Sequence, residues 1–476
     1  MTLLDQISFF ATNKPDKHAL VHPQFKVTWK QFNEMISNCA IYLLQSGLKA
    51  NSIVGVHQKK SLLNIVTSLA LMKLGVPFID ISDNITAFKS TRNKLGITEV
   101  VSDSGKFFPD SSTISLDNLS VLRTSHILPQ LQNKTNDSFT YFIKTSGTTG
   151  WNKYISLTNS IITARFQTYS TSLGFNEEDF FWTPISTSFS SSKLRYFAAI
   201  HGGATIVIGC NQTIKGVNFL NSIGITKMFC TPSQLLKFIE IGIPLPTCVC
   251  VSAATSPVSE KLRRDFRRIV NENLYVVYGT SEVGLVTEAD QFLQARSPNT
   301  VGFSYPSVQV QVVDDEDFIV SSGTTGNIRL KSPGMCDGYF LDSKLSEMNF
   351  RDGWFYPGDL GYLDSESSLI FQGRSDDMMI FDGVNLHPIE IENCLNSHFA
   401  VLESAAFSIS HKKYGEIPIA AVVLKKSLSE LDLMKFCFEE LGQKMPRRIL
   451  FVEKLPKNEM GKILRKNLTD LYSSKI

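Results

Sequence analysis

Several features that mark particular classes of protein are missing from this 476-residue sequence. It has no run of basic residues and a formal net charge of only +2, so we expect no nucleic-acid partner and no binding to a membrane surface. The longest apolar stretch, LLNIVTSLALMKLGVPFI from Leu62, is interrupted by polar residues and by Lys73. It predicts a buried helix followed by a strand, and not a membrane span.

Cysteine spacing and the first residues exclude two further classes. The eight cysteines include no C-x-x-C pair, so the spacing typical of zinc and dithiol sites is missing. The first twenty residues contain no basic segment followed by an apolar one, as a secretion signal would. We therefore expect a cytoplasmic protein with reduced thiols.

Short apolar strands alternate with amphipathic helices over much of the chain. KVTWKQFNEMISNCAIYLLQSGL is typical of a strand followed by a helix, and similar strands recur at SIVGVHQ, VPFIDIS, ATIVIGC and LYVVYGTS. This alternation predicts parallel βαβ units and an α/β fold.

The pattern changes twice in the second half of the chain. From about residue 300, VQVQVVDDEDFIVSSGTTGNIRLKSP predicts a small β-rich section. After FQGRSDDMMIF, about 100 residues contain two helices and one or two strands, which suffice for a small domain. We therefore predict a large N-terminal domain, residues 1–373, and a small α+β C-terminal domain, residues 374–476.

The pentapeptide SGTTG occurs twice, at Ser146–Gly150 and at Ser322–Gly326. A loop of Gly, Ser and Thr can wrap an anion with backbone N–H groups, and a following lysine adds positive charge. Only the first copy has that lysine, Lys153, and it follows an apolar strand, SFTYFI, and precedes a predicted helix, LTNSIITARFQTYSTSL. The first copy is therefore a candidate phosphate loop, with an ordinary loop as the alternative, although its spacing is not that of the common P-loop. The second copy is predicted to be a hairpin turn.

Five motifs resemble, in order, those of the adenylate-forming superfamily of acyl-CoA synthetases, peptide-synthetase adenylation domains and luciferase. YFIKTSGTTGWNKY is similar to its phosphate loop, VVYGTSEVG to its adenine and magnesium motif, and WFYPGDLGYLD to its ribose motif. GRSDDMMIFDGVNLHPIEIE is similar to its hinge and LPKNEMGKILR to its C-terminal lysine motif. The resemblance covers nearly the whole chain, and the chain most resembles a stand-alone acyl or aryl acid ligase. It implies an α/β N-terminal domain of βαβ sheets with a β-rich subdomain, and a mobile C-terminal domain.

The activity that this resemblance implies is attack of a carboxylate on the α-phosphate of ATP, followed by transfer of the acyl group to a thiol. It implies ATP and Mg²⁺, a small carboxylic acid, and CoA or the phosphopantetheine of a separate carrier protein. By resemblance, Glu282 holds the metal, Asp376 is the hinge, and the catalytic residues are Lys462, Glu282, Lys153 and Arg374. The implied nucleotide-binding residues are Thr145, Ser146, Gly147, Thr148, Thr149, Gly150, Lys153, Ala253, Tyr278, Gly279, Thr280, Ser281, Asp359 and Arg374.

Some of these residues have a specific implied role and an ordinary alternative. Tyr278 would stack on adenine, or be a core tyrosine. Asp359 would accept hydrogen bonds from the ribose hydroxyls, or make local turn bonds. Lys462 would reach the reacting carboxylate through a turn that Gly461 permits, or be a surface lysine. The chain departs from the family at Asn152, Tyr154 and Ile380, which we interpret as drift because no essential charge is lost.

The segment STSFSSSKLRYF aligns with the acyl-pocket helix of peptide-synthetase adenylation domains. Enzymes that take α-amino acids have Asp where this chain has Ser190, and a buried ammonium without a partner is costly. The other aligned pocket positions are uncharged and mostly apolar: Phe189, Leu194, Phe229, Val249, Val251, Val277, Leu285 and Val286. An apolar pocket favours an aryl or aliphatic acid, and simple core packing of these side chains is the alternative.

The resemblance leaves other functions open. The chain could be a stand-alone adenylation domain for an amino acid, an inactive nucleotide-binding relative, or a luciferase-type oxygenase. The presence of Lys153, Glu282, Asp359, Arg374 and Lys462 argues against the inactive relative. The hypothesis that we carry forward is an AMP-forming acid–thiol ligase.

Overall fold

The computed structural model describes residues 1–49, 51–104, 106, 108–117, 139–146, 152–172, 174–297, 299–411, 415–458 and 461–473. Four residues of the candidate phosphate loop, Gly147, Thr148, Thr149 and Gly150, lie outside the described residues.

Helices and strands alternate through the first two thirds of the chain. The helices are α1 (Leu3–Asn13), α2 (Trp29–Gln45), α3 (Ser61–Leu74), α4 (Ile85–Leu95), α5 (Asn159–Ser172), α6 (Ser190–His201), α7 (Ile214–Ser222), α8 (Pro232–Ile241), α9 (Glu260–Ile269), α10 (Gln291–Arg296), α11 (Ser343–Asn349), α12 (Pro388–Ser397), α13 (Glu430–Leu441) and α14 (Arg465–Tyr472). The strands of the first half are β1 (His18–His22), β2 (Phe25–Thr28), β3 (Ile53–His57), β4 (Phe78–Asp80), β5 (Ile97–Ser102), β6 (Ser112–Ser115), β7 (Thr140–Ser146), β8 (Asn152–Thr158), β9 (Phe180–Trp182), β10 (Thr205–Val207), β11 (Lys227–Cys230) and β12 (Cys250–Ala253). Those of the second half are β13 (Leu274–Thr280), β14 (Gly284–Ala289), β15 (Thr300–Ser304), β16 (Gln309–Val313), β17 (Gly326–Lys331), β18 (Phe350–Arg351), β19 (Trp354–Phe355), β20 (Asp359–Leu363), β21 (Leu369–Arg374), β22 (Met379–Phe381), β23 (Val384–Leu386), β24 (Val401–His411), β25 (Gly415–Leu424) and β26 (Arg448–Phe451).

The first sheet carries the candidate phosphate loop. Its order is β6-β5-β3-β4-β7-β8, with parallel pairs up to β7 and an antiparallel β7–β8 hairpin at the edge. Helix α3, on the chain between β3 and β4, is buried at every residue from Leu62 to Met72 and ends at Gly75, whose φ is +68°. The prediction of a buried helix in the longest apolar stretch is confirmed, and no helix among the described residues is long and apolar enough to span a membrane.

The second sheet joins the predicted βαβ region to the predicted β-rich section. Strands β1, β10, β9, β11, β12 and β13 are paired in parallel, and β14, β15, β21, β20 and β17 continue the sheet in antiparallel pairs. The α/β part and the β-rich part therefore share one sheet, and the motif around Tyr278 lies where the pairing changes from parallel to antiparallel.

The last 100 or so residues form a third sheet, a domain-sized unit. Its order is β23-β22-β25-β24, with β26 beside β25, and helices α12 and α13 pack with it. The sequence predicted two helices and one or two strands, which is too few: the strands contain short or irregular apolar patterns that a period-two search misses. One buried cluster in this region extends only from Met379 to Ile449.

Candidate active site

A cavity of about 1580 Å³ lies between the two domains. Its wall includes residues from motifs that are far apart in the chain: Thr145, Lys153, Tyr278, Gly279, Thr280, Ser281, Glu282, Asp359, Arg374, Asp376 and Lys462. Ala253, the last residue of β12, is fully buried and is not part of this wall as described.

The candidate phosphate loop connects the two strands of a hairpin. Thr145 pairs with Lys153, and Ser146 pairs with Asn152. The predicted helix in LTNSIITARFQTYSTSL is confirmed as α5, and the strand β8 between the loop and α5 was not predicted. The segment NKYISLT pairs with β7 along its whole length. Lys153 is consequently held at the cavity by a strand.

The second SGTTG copy lies in the connection from β16 to β17, which pair in an antiparallel manner. The Gly323 N–H and the Ser322 hydroxyl both donate to the backbone oxygen of Leu363, at 2.8 and 3.1 Å. The copy is thus part of a β connection, as the sequence predicted.

Glu282 has a buried partner that the sequence analysis missed. The Tyr339 hydroxyl donates to Glu282 Oε1 at 3.0 Å, and both residues are less than 10% exposed. Lys153 Nζ lies 5.2 Å from the centroid of the same Tyr339 ring. Burial and then the charge of Glu282 raise the pKa of Tyr339, so its hydroxyl stays protonated and donates. Tyr339 therefore connects the lysine of the first motif to the carboxylate of the second.

Arg165 fixes the backbone around Glu282. It extends from α5, is 2% exposed, and donates to the backbone oxygens of Ser281 at 2.9 Å, Glu282 at 3.0 Å and Gly334 at 2.8 Å. A planar guanidinium that donates to three backbone oxygens holds the turn in one conformation. The sequence contains no local signal for this contact, because Arg165 lies 117 residues from Glu282.

Tyr278, Asp359 and Arg374 form one hydrogen-bonded group. The Tyr278 hydroxyl donates to Asp359 Oδ2 at 2.5 Å, and Arg374 Nη1 donates to Asp359 Oδ1 at 3.3 Å. The Tyr278 ring lies 5.8 Å from that of Phe371. Burial raises the pKa of Asp359 to about 6, against the opposing effects of Arg374, Tyr278 and Lys462. Asp359 is therefore easier to protonate than an ordinary aspartate.

Arg374 also forms an ion pair with Asp376, the predicted hinge residue. Its Nε donates to Asp376 Oδ1 at 3.0 Å and its Nη2 to Asp376 Oδ2 at 3.3 Å, a two-point ion pair. Burial opposes the charge of Arg374, but Asp376 and Asp359 together raise its pKa. The arginine thus links Asp359 to Asp376.

Lys462 reaches the cavity through a tight turn. Gly461 has a φ of +77°, and a Cβ there would lie 2.6 Å from Ser233 Oγ of α8, so a side chain at this position would be strained. The Lys462 N–H donates to Asn458 Oδ1 at 2.9 Å. Burial, and next the charge of Arg374, lower the pKa of Lys462. The role that sequence analysis assigned to Gly461 agrees with this geometry.

The predicted acyl-pocket residues do not all lie together. Helix α6 begins at Ser190 after its N-cap Phe189. Leu194, Phe229, Val277, Leu285 and Val286 share one core, whereas Val249 and Val251 belong to a second core with residues of α8 and α9. Alternate residues of a strand point to opposite faces of a sheet. This explains why Val249 and Val251 enter a different core from Phe229.

A charged residue lies among these side chains. Arg195, one residue after Leu194, is 4% exposed, and its guanidinium carbon lies 3.4 Å from the centroid of the Phe229 ring. Its Nη1 donates to Ser191 O at 2.9 Å, while its buried Nε has no hydrogen-bond partner among the described residues. The aligned positions themselves carry no charge, but the guanidinium of Arg195 lies next to one of them, Phe229.

Two family matches together cover most of the chain, although Asp359, Arg374 and Asp376 lie between them. The AMP-binding enzyme family matches residues 8–340, and the AMP-binding enzyme C-terminal domain matches residues 390–462. The chain belongs to the AMP-binding enzyme family. It is an acid–thiol ligase of the AMP-forming type, which activates a carboxylic acid with ATP.

Similar proteins support this class. A 2-succinylbenzoate–CoA ligase from Listeria monocytogenes serovar 1/2a is 26% identical over 96% of this chain and 97% of that protein. The enzyme of the same name from Bacillus subtilis strain 168 is 27% identical over 70% and 69% of the two chains.

Solved structures have the same fold. The o-succinylbenzoate CoA synthetase MenE from Bacillus subtilis, in complex with the acyl-adenylate OSB-AMP, has a TM-score of 0.89 at 22% identity over 98% of each chain. ATP-bound MatB from Rhodopseudomonas palustris has a TM-score of 0.88 at 20% identity over 100% of each chain.

Proposed function

We propose that this enzyme joins an aryl or aliphatic carboxylic acid to ATP, forming an acyl-adenylate, and then transfers the acyl group to CoA. The observation that carries the proposal is the convergence of Lys153, Glu282, Asp359, Arg374 and Lys462 on one cavity from five separate motifs. Two anions, the carboxylate and the triphosphate, must approach each other in this reaction, so the cationic side chains of Lys153, Arg374 and Lys462 on the cavity wall suit it.

Each of these residues would bind a different part of ATP. Lys153, with the loop that follows Thr145, would bind the β- and γ-phosphates. Asp359 would accept hydrogen bonds from the ribose hydroxyls, and Arg374 beside it would bridge ribose and phosphate. The Tyr278 ring, which lines the cavity, would stack on adenine.

Magnesium would be held by Glu282 together with the phosphates of ATP. No cluster of three or more His, Cys, Asp or Glu side chains suited to a metal occurs in the part of the chain that the structure describes. A single carboxylate fits Mg²⁺, which is usually bound by one or two carboxylates plus substrate phosphates. When bound, the ion would neutralise charge on the phosphates.

The first step forms a bond between a carboxylate oxygen and the α-phosphorus of ATP, and the bond to pyrophosphate breaks. Lys462 would contact the attacking carboxylate and the α-phosphate, where the two negatively charged groups meet. In the second step the CoA thiolate attacks the acyl carbon and AMP leaves. Loss of Lys462 should therefore affect mainly the first step, by about 10²- to 10³-fold.

The substrate is an aryl or aliphatic carboxylic acid. Apart from the reacting carboxylate, the molecule either has no charge or has one further acidic group. Ser190 supplies no carboxylate for a substrate ammonium, which disfavours α-amino acids. The buried Arg195 beside Phe229 would repel an ammonium as well. Because the relatives are named for 2-succinylbenzoate, that acid is the first to test. Their acceptor, CoA, is preferred here over a carrier protein for the same reason.

The test is ATP–pyrophosphate exchange that depends on an added acid, measured with 2-succinylbenzoate, benzoate, medium-chain fatty acids and α-amino acids. We expect exchange with an aryl or aliphatic acid, loss of exchange in Lys462→Ala, and a thioester product when CoA is added. Exchange with α-amino acids alone would overturn the acid class, and no exchange with any acid would overturn the activity.

A further inference from the structure

Lys261, which belongs to none of the motifs described above but also lines the cavity, contacts the C-terminal domain. It is the second residue of α9, and its Nζ donates to the backbone oxygens of His398 at 2.9 Å and Val401 at 3.3 Å. His398 caps the C-terminal end of α12. The last carbonyls of a helix lack helical partners and carry partial negative charge, so an ammonium binds well there.

Helix α12 is in turn connected to the loop that carries Lys462. Arg465 Nη2 donates to Glu392 Oε1 of α12 at 2.7 Å, and Arg465 Nε donates to the backbone oxygen of Ala406 in β24 at 3.1 Å. Arg465 lies three residues after Lys462. A displacement of α12 and β24 would therefore move the catalytic lysine with them.

The charge around Lys261 makes its carbonyl acceptors important. The side chain is partly buried, and burial, followed by the nearby charge of Lys425, lowers the pKa of Lys261. The backbone N–H of Lys425 is itself bonded to Ala400 O at 2.7 Å, between the two segments that Lys261 contacts. The ammonium is thus stabilised by the two carbonyl groups against a like charge.

We propose that Lys261 is a positioning residue that holds the C-terminal domain in the orientation in which Lys462 faces the cavity. It would act on adenylate formation through Lys462, without touching substrate. This inference rests on the proposed function, since it assigns a step of that reaction to the contact.

The first test separates the two half-reactions. Lys261→Met should lower the rate of pyrophosphate exchange by about tenfold, as expected for a lost charge-assisted hydrogen bond, while transfer from a supplied acyl-adenylate to CoA keeps its rate. Lys261→Arg should restore most of the exchange. The matched control is Lys237→Met on α8, an exposed lysine with no ion pair or hydrogen bond among the described residues.

The second test asks whether Lys261 acts through Lys462. In a Lys462→Ala background, Lys261→Met should cause no additional loss of exchange, because the group that it positions is gone. The proposal would be overturned if Lys261→Met lowered pyrophosphate exchange as much in the Lys462→Ala background as in the wild type. It would also be overturned if Lys261→Met slowed both half-reactions equally, or did not slow pyrophosphate exchange at all.

A third measurement does not depend on activity. Amide hydrogen exchange in residues 455–465 of the ligand-free protein should rise in Lys261→Met and stay unchanged in Lys237→Met. If the wild-type enzyme activates no acid, the proposed function fails while this measurement still decides whether Lys261 holds the loop. If amide hydrogen exchange is unchanged in Lys261→Met, the positioning role is refuted.

Discussion

Removal of one oxygen atom, in Tyr339→Phe, tests how the carboxylate of Glu282 is held. The variant keeps the ring that Lys153 Nζ approaches at 5.2 Å and that packs edge-on against Phe350 at 5.6 Å. It removes only the hydroxyl that donates to Glu282 Oε1 at 3.0 Å. The change is therefore confined to one hydrogen bond.

The expected magnitude follows from burial and charge. A hydrogen bond to an ionised group contributes about 1.5–3 kcal/mol. Glu282 is 8% exposed but lines the cavity, so water can partly replace the hydroxyl and the lower end of the range applies. Since about 1.4 kcal/mol corresponds to a factor of ten, the magnesium concentration for half-maximal rate should rise by about tenfold.

The assay is pyrophosphate exchange at saturating ATP over a series of Mg²⁺ concentrations. Tyr42→Phe is the matched control, because it also loses one hydroxyl, which donates to Ser115 O at 2.7 Å far from the cavity. The control should leave the magnesium dependence unchanged. If Tyr339→Phe has the wild-type magnesium dependence, Tyr339 does not orient the metal ligand and the assignment of Glu282 loses its main structural support.

Three further predictions concern other contacts. Because the pKa of Asp359 is raised to about 6, the KM for ATP should rise as the pH falls through that value, and Asp359→Asn should remove the pH dependence; a wild-type KM that is flat from pH 5 to 8 would contradict the ribose role. Lys193 is fully buried and donates to Asp80 at 2.8 Å, so Lys193→Met should lower the free energy of unfolding in urea by about 3 kcal/mol, and a loss below about 1 kcal/mol would show that Asp80 is satisfied without it. Gly461→Ala should slow pyrophosphate exchange by about tenfold, since a left-handed φ costs about 1–2 kcal/mol and the new methyl group meets Ser233; an unchanged rate would show that the lysine turn tolerates another conformation.

Motif order predicted the cavity wall well. Lys153, Glu282, Asp359, Arg374 and Lys462 all line it, as expected from five motifs that each consist of adjacent residues. The partners of these residues could not be predicted in the same way. Tyr339 approaches Lys153 because it bridges to Ile155 of β8, and Arg165 approaches Glu282 from a helix that precedes the motif by more than a hundred residues.

The acyl pocket was predicted least well. An alignment by position treats Val249 and Val251 like Leu194, yet the face of a strand decides which core a side chain enters. It also gives no indication that Arg195, one residue after Leu194, lies over the Phe229 ring. Both features depend on contacts between elements, which spacing along one element does not contain.

The resemblance of five motifs to those of a known superfamily was enough to predict the class of enzyme, because each motif is short and continuous in the chain. The pattern of apolar residues was also enough to predict the buried α3 helix and the change to a β-rich section. Tertiary structure decided which side chains hold these groups in place: Tyr339 on Glu282, Arg374 between Asp359 and Asp376, and Lys261 at the end of α12. The physical reason is that hydrogen bonds and ion pairs depend on distances of about 3 Å between atoms, and only the folded chain brings distant residues that close.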